Sequence, residues 1–225
     1  MRAMALTAEM VAKVQRTEID EGPRPHLQQM NDDDYAQWTD QLLGEFGKTP
    51  LRIFAYGSLI WKPEFEYVKA ERATLKGWHR SFCMKIERWR GTRAVPGLMM
   101  ALDRGGSCSG MIYELGSINR NQQIEKLLRR EMTNKPPTNM PRVLTVSPGT
   151  ESISVIAFTA SRTGHSYVGK IALPEVASIL ARAAGQWGTG VEYLFNTVSH
   201  LEQLNIQDKN LWELQKLVAA EIEKF

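Results

Sequence analysis

The spacing of apolar positions changes once, at Leu51, and the change divides the chain. Before it the apolar residues recur as they do on helices. Thr7 is placed to cap a short helix running to Gln15, with Met10, Val11 and Val14 on one side. The segment DEGPRPH (Asp20 to His26) is rich in helix breakers and reads as a linker. Asn31 and the three aspartates after it predict a second helix start, because acidic groups favour the positive end of the helix dipole. Tyr35, Trp38, Leu42 and Phe46 follow at helical spacing, and Gly47 closes the element. From Leu51 onward the period is that of strands: Leu51 to Ala55, Ala73 to Ile86 and Gly97 to Leu102. DRGGS (Asp103 to Ser107) predicts a hairpin into CSGMIYEL, and Arg142 to Val146 pairs with Ile153 to Thr159 across SPGTES.

Helical spacing interrupts the strands once and then takes over. One helix starts near Asn119, with Gln122 as its capping-box partner. Another has Pro174 in its first turn and Val176, Leu180, Ala183 and Trp187 on one face. The last two run from Thr189 to Leu204, with Val191, Leu194, Phe195, Val198 and Leu201, and from Asp208 to Phe225, with Leu211, Leu214, Val218 and Ile222. The expected fold class is α+β: a small mixed β-barrel of about six strands flanked by helices. The expected organisation is a helical N-terminal extension over residues 1–50 and one domain over residues 51–225.

Composition narrows the function classes. A hydrophobic fraction of 43% and a charged fraction of 24% belong to an ordinary globular chain with a sizeable core. The 28 basic and 25 acidic residues leave a net charge of +3, too little for nucleic-acid binding by bulk charge. The densest basic run, KIERWRGTR (Lys85 to Arg93), reads as a solvated hairpin edge in preference to a base-stacking surface. No apolar stretch approaches the ~18 residues of a membrane span, and Glu9 interrupts what would be the apolar region of a signal peptide. Two cysteines, Cys83 and Cys108, fit a reduced cytoplasmic protein better than a disulfide scaffold.

Two places carry candidate chemistry. In FAYGSLIWKP (Phe54 to Pro63) an apolar strand is broken by Tyr-Gly-Ser, which reads either as a tight corner or as a loop that holds a ligand by its backbone. In NRNQQIEKLLRREM (Asn119 to Met132) the apolar stripe is Ile124, Leu127 and Leu128, and its next position is Glu131. A carboxylate there either snorkels out at a fraying helix end or lies partly desolvated with a raised pKa, suited to acid–base catalysis. Glu125, Lys126, Arg129 and Arg130 lie off the stripe and read as solvated. Ser58 lacks the surroundings of a nucleophile elbow, no Cys/His spacing makes a zinc site, and the glycines fit no nucleotide loop.

Taken in order, FAYGSLIW, KGWHRSF, GLMMALDRGGSCSGMIYEL, LLRREM, YVG and VEYLFNTV resemble the ChaC-like γ-glutamylcyclotransferases from about Leu51 to the C-terminus. The resemblance implies a small mixed β-barrel and a lyase that cleaves glutathione into 5-oxoproline and cysteinylglycine, without metal or cofactor. It implies that Tyr56, Gly57, Ser58, Leu59, Ile60 and Trp61 form the substrate loop and that Glu131 is the catalytic acid/base. Arg80, Tyr167 and Tyr193 match positions near the family's pocket; Arg80 is readable as a ligand for a substrate carboxylate or as a strand-edge salt bridge. Ala55 stands where a glycine is frequent, and TNKPPTNMP after Glu131 departs from the usual GGY-type sequence, which bears on substrate preference. The alternatives are the same cyclisation on another γ-glutamyl amide or amine, and a γ-glutamyl-binding protein without turnover.

Overall fold

A computed structural model describes residues 2–148 and 152–225. The first half of the chain forms α1 (Ala8–Val14), β1 (Gln28–Gln29), α2 (Asp32–Phe46), β2 (Arg52–Ala55), α3 (Ser58–Trp61), β3 (Tyr67–Ile86) and β4 (Gly97–Leu115). Then come α4 (Arg120–Glu131), β5 (Asn134–Lys135), β6 (Asn139–Val146) and β7 (Ile153–Ala160). The rest is α5 (Leu173–Arg182), β8 (Ala184–Gly185), β9 (Gly188–Thr189), α6 (Gly190–Gln203) and α7 (Lys209–Ile222). These elements fall into two compact units: residues 25–80 with 101–165, and residues 1–24 with 81–100 and 166–225.

The unit built on residues 25–80 and 101–165 contains most of a mixed sheet of order β3-β4-β2-β7-β6. Strand β2 is its centre, antiparallel to β4 (Ala55 opposite Met111) and parallel to β7 (Ile53 opposite Ile156). Both faces of β2 are covered, which is why Ile53, Phe54 and Ala55 are all apolar and fully buried. Helix α2 starts with a complete capping box between Asn31 and Asp34 and packs against α4. The Tyr35 hydroxyl donates to the Met132 carbonyl at 2.8 Å, and the Arg129 guanidinium lies over the Tyr35 ring at 4.4 Å. β1 pairs with β5, Gln28 opposite Lys135, and an ion pair joins Lys135 to Asp34.

In the other unit, α5, α6 and α7 pack on one another and α1 lies against α6 and α7. Gln215, fully buried, accepts from the Leu6 backbone N–H at 2.8 Å, so a polar side chain of α7 ties down the N-terminal segment. Thr7 caps α1 as its position predicts. Arg88 pairs with Asp20, and Arg90 bonds the Glu192 carboxylate and the Thr189 carbonyl, each at 2.7 Å.

Several expectations are corrected. The sheet has five strands and, among the described residues, its pairings do not close into a barrel, although the α+β class holds. DRGGS does not reverse the chain: β4 runs through it, bending where Gly105 and Gly106 take φ of +104° and +67°. Asn119 makes no side-chain cap; Gln123 instead donates to the Ile118 carbonyl at 2.9 Å. Trp187 is off the α5 face and 57% exposed, because the helix ends at Arg182. The basic run is no solvated edge, since Arg88 and Arg90 are drawn into ion pairs. Of the SPGTES turn, residues 149–151 lie outside the described residues.

A Cβ added at Gly110 of β4 would lie 2.4 Å from the Ala55 carbonyl oxygen and 2.8 Å from the Phe54 ring. Gly110→Ala is therefore expected to cost about 1–3 kcal/mol in urea unfolding. Gly44→Ala, inside α2 with nothing within 4 Å of the new Cβ, should instead stabilise by about 0.5–1 kcal/mol.

Candidate active site

The turn after β2 is fixed by its own apolar residues and by two arginines. Following Ala55, the chain makes the single turn α3, closed by Ile60 N–H to the Gly57 carbonyl at 2.9 Å and Lys62 N–H to the Ser58 carbonyl at 2.7 Å. Tyr56, Leu59 and Ile60 are buried and anchor the turn; Ser58 and Trp61 are half-buried. The Tyr113 hydroxyl donates to the Ile60 carbonyl at 3.4 Å. Arg80, 5% exposed, donates through Nε to the Tyr56 carbonyl at 2.6 Å and through Nη2 to the Ser109 carbonyl at 2.5 Å. A guanidinium is suited to this because it fixes several donors in one plane. Its described bonds hold the loop's backbone to β4.

Glu131 ends α4 in the register that the stripe predicts. Ile124, Leu127 and Leu128 are buried, and the Glu131 side chain is only 15% exposed. Its Oε2 accepts from Asn139 Nδ2 at 2.9 Å, and its Oε1 is 3.3 Å from Arg130 Nε. Burial pushes the Glu131 carboxyl above its ordinary range. The positive charge of Arg130 and the Asn139 hydrogen bond pull it back in part, while the Glu64 charge pushes it further up. Glu64 itself is held down by Lys62 and Arg130, against its own desolvation.

Arg130 joins the two halves of the site. It donates to Ser58 Oγ at 3.1 Å and to the Lys62 carbonyl at 2.5 Å while lying beside both Glu131 and Glu64. The structure thus brings Tyr56–Trp61, Arg80 and Glu131 together in one compact unit. Tyr167 and Tyr193 belong to the other unit. There Tyr167 bridges Met84, and the Tyr193 ring meets Phe82 edge-on at 6.2 Å with Arg90 over its face.

Arg130 and Asn139 are the residues that sequence reasoning missed. Arg130 sits off the apolar stripe, yet its side chain is 16% exposed because the loop carbonyl and Ser58 fold over it. Asn139 is 3% exposed at the first position of β6, within a segment that reads only as a turn. No sequence signal marks it, because its role depends on β6 returning beside the end of α4. Cys83 and Cys108 are buried thiols, and no metal-binding cluster occurs among the described residues. No described helix is long and apolar enough to cross a membrane.

The mixed sheet, its helices, the glycine turn and a buried glutamate linked to that turn by an arginine define an α+β protein with a candidate site for acid–base chemistry. The family model for ChaC-like proteins matches residues 51–221, and the chain belongs to that family. It is 34% identical to the glutathione-specific γ-glutamylcyclotransferase of Escherichia coli, over 73% of this chain and 71% of that one. It is 27% identical to glutathione-specific γ-glutamylcyclotransferase 1 of Danio rerio, over 78% of this chain and 92% of that one. The fold is similar to the crystal structure of a yeast γ-glutamylcyclotransferase specific to glutathione, with a TM-score of 0.69 and 19% identity over 76% of this chain and 96% of that one.

The raised pKa carries a stability consequence. The folded state holds the Glu131 proton more tightly than the unfolded chain, so stability is lost as pH rises through the folded value. Glu131→Gln has no charge to bury and escapes that loss. The variant's unfolding free energy minus the wild type's should grow as pH rises from the ordinary glutamate value through the folded one, read by urea denaturation at each pH. A constant or shrinking margin would contradict the desolvated carboxylate.

Proposed function

We propose that this chain is a γ-glutamylcyclotransferase that cleaves glutathione into 5-oxoproline and cysteinylglycine, with Glu131 as general acid/base. The observation that carries the reading is the buried Glu131 carboxylate, tethered through Arg130 to the Ser58 turn. In a γ-glutamyl amide the α-amine can attack its own γ-carbonyl and close a five-membered ring, so the protein need supply no nucleophile. The amine arrives as an ammonium. Glu131 takes one of its protons, the nitrogen bonds to the carbonyl carbon, and Glu131 gives that proton to the cysteinyl nitrogen as its C–N bond breaks; the second proton, shed by the ring nitrogen as it becomes an amide, leaves with the departing amine as its ammonium. Atoms balance without water.

The turn holds the substrate folded for that attack, where orientation can contribute up to ~7–11 kcal/mol. The N–H groups of Ser58 and Leu59, ahead of the Ile60 N–H that closes α3, are the proposed donors to the carbonyl oxygen as it gains charge. In this reading Gly57 admits the substrate close to the backbone and the Ser58 hydroxyl, already held by Arg130, faces it. Leu59, Ile60 and Trp61 anchor the turn, and Arg80 acts on substrate through the Tyr56 carbonyl that it fixes. Residues 51–225 form the catalytic part and residues 1–50 an extension to it. The same reading puts the reaction in the cytoplasm, with no nucleic acid as partner.

A second reading, the same cyclisation on a different γ-glutamyl amide, is favoured by one feature. The TNKPPTNMP segment beside Glu131 is built from the β1–β5 pairing and the start of β6, with Asn139 contacting the carboxylate.

Incubation with glutathione should yield 5-oxoproline and cysteinylglycine in equal amounts. Glu131→Gln should lower kcat by about 10²–10⁴; wild-type turnover by that variant would sink the assignment. Activity on other γ-glutamyl amides but not on glutathione would select the second reading. The acid limb of the kcat/KM profile should lie above the ordinary glutamate value of about 4.3, since the base must be deprotonated. Glu64→Gln removes a charge that raises the Glu131 pKa, so it should move that limb to lower pH.

A further inference from the structure

The Asn139 side chain offers more than its contact with Glu131. Its Nδ2 donates to Glu131 Oε2 at 2.9 Å, while its Oδ1 is buried and has no hydrogen-bond partner among the described residues. A buried amide oxygen without a donor costs about 1–3 kcal/mol, so an acceptor of this kind beside a carboxylate calls for a ligand that brings a donor. The two heteroatoms of one amide are about 2.3 Å apart, as its bond lengths require. Oδ1 therefore lies within about 5.2 Å of Glu131 Oε2, close enough for one nitrogen to touch both.

The donor wanted there is cationic. Asn139 Oδ1 and the carboxylate make two acceptors, which matches an ammonium, a group with three donors and no acceptor capacity. A neutral hydroxyl would fill one acceptor and waste the charge complement. The charges acting on Glu131 are Arg130 from its own helix and Glu64 from the segment after α3. Arg130 is already engaged by Ser58 Oγ and the Lys62 carbonyl, which leaves the Asn139 side of the carboxylate for the incoming cation.

We propose that Asn139 is a substrate-binding residue whose Oδ1 accepts a hydrogen from the α-ammonium of a γ-glutamyl substrate, while its Nδ2 holds the Glu131 carboxylate toward the same nitrogen. The inference deepens the functional reading above and rests on it. It assigns recognition of the α-amine, as distinct from the rest of the γ-glutamyl group, to a residue of β6. It also gives the amide a part in the proton transfer: with Nδ2 fixed on one carboxylate oxygen, the ammonium is held between the base and a neutral acceptor that does not compete for its proton.

The test uses a sulfonyl analogue of glutathione, which keeps the α-amine but has no carbonyl to attack, and the same analogue without the amine. Calorimetric titration of the full chain should show that the wild type prefers the amine-bearing compound. Asn139→Leu should weaken that compound by about ten- to a hundredfold and leave the deamino compound within about twofold. Asn139→Asp, which keeps an acceptor oxygen, should bind the amine-bearing compound more tightly than Asn139→Leu does. Equal weakening of both compounds by a folded Asn139→Leu would mean a structural role and overturn the proposal. So would unchanged binding of both, or a wild type with no preference for the amine. A wild type that prefers the amine yet produces no 5-oxoproline from glutathione would fail the functional reading alone.

Discussion

Everything at the candidate site is arranged around a carboxylate that the fold buries beside one guanidinium and one amide. Glu131 occupies the last stripe position of α4, where a leucine would continue the core, and burial is the largest influence on its proton affinity. A buried carboxylate with no partner would simply protonate and stay so. One Asn139 hydrogen bond and one neighbouring guanidinium offset part of that penalty, and Glu64 keeps the offset incomplete. The net effect is a proton affinity above that of an ordinary glutamate.

The surroundings are arranged to keep that balance. Arg130 would overwhelm the carboxylate as a dedicated partner, but it also serves Ser58, the Lys62 carbonyl and Glu64. The segment from Thr133 to Thr138, which sets where Asn139 begins β6, is braced from the N-terminal side. β1 pairs with β5, Met30 N–H bonds the Thr133 carbonyl at 3.0 Å, and Tyr35 bonds the Met132 carbonyl. These bracing residues precede the stretch matched by the family model, which begins at residue 51. Part of the N-terminal fifty residues therefore braces the segment that follows Glu131.

The sequence made some of this legible and hid the rest for physical reasons. The α4 stripe was readable because Ile124, Leu127 and Leu128 repeat at helical spacing, and Glu131 stood out as the polar residue in its register. The Tyr56–Trp61 turn was readable because Gly57 and Ser58 interrupt a strong apolar run. Arg130 was not, since helical periodicity places it on a polar face and cannot see a loop folding over that face. Asn139 was hidden more deeply, because its partner lies eight positions away in chain number (139 − 131) across a turn. The barrel was overread: the strands are present, but DRGGS bends β4 where a hairpin was expected, so one long strand replaces two short ones.

The central claim is that Glu131 is desolvated enough to take up a proton above the ordinary carboxylate range. Its side-chain carboxyl carbon can be followed by NMR titration of protein labelled at glutamate, with Glu131→Gln identifying the resonance. An inflection above the usual value of about 4.3 is the predicted result. An inflection at or below that value would mean that Arg130 and Asn139 hold the carboxylate charged, and it would contradict the account.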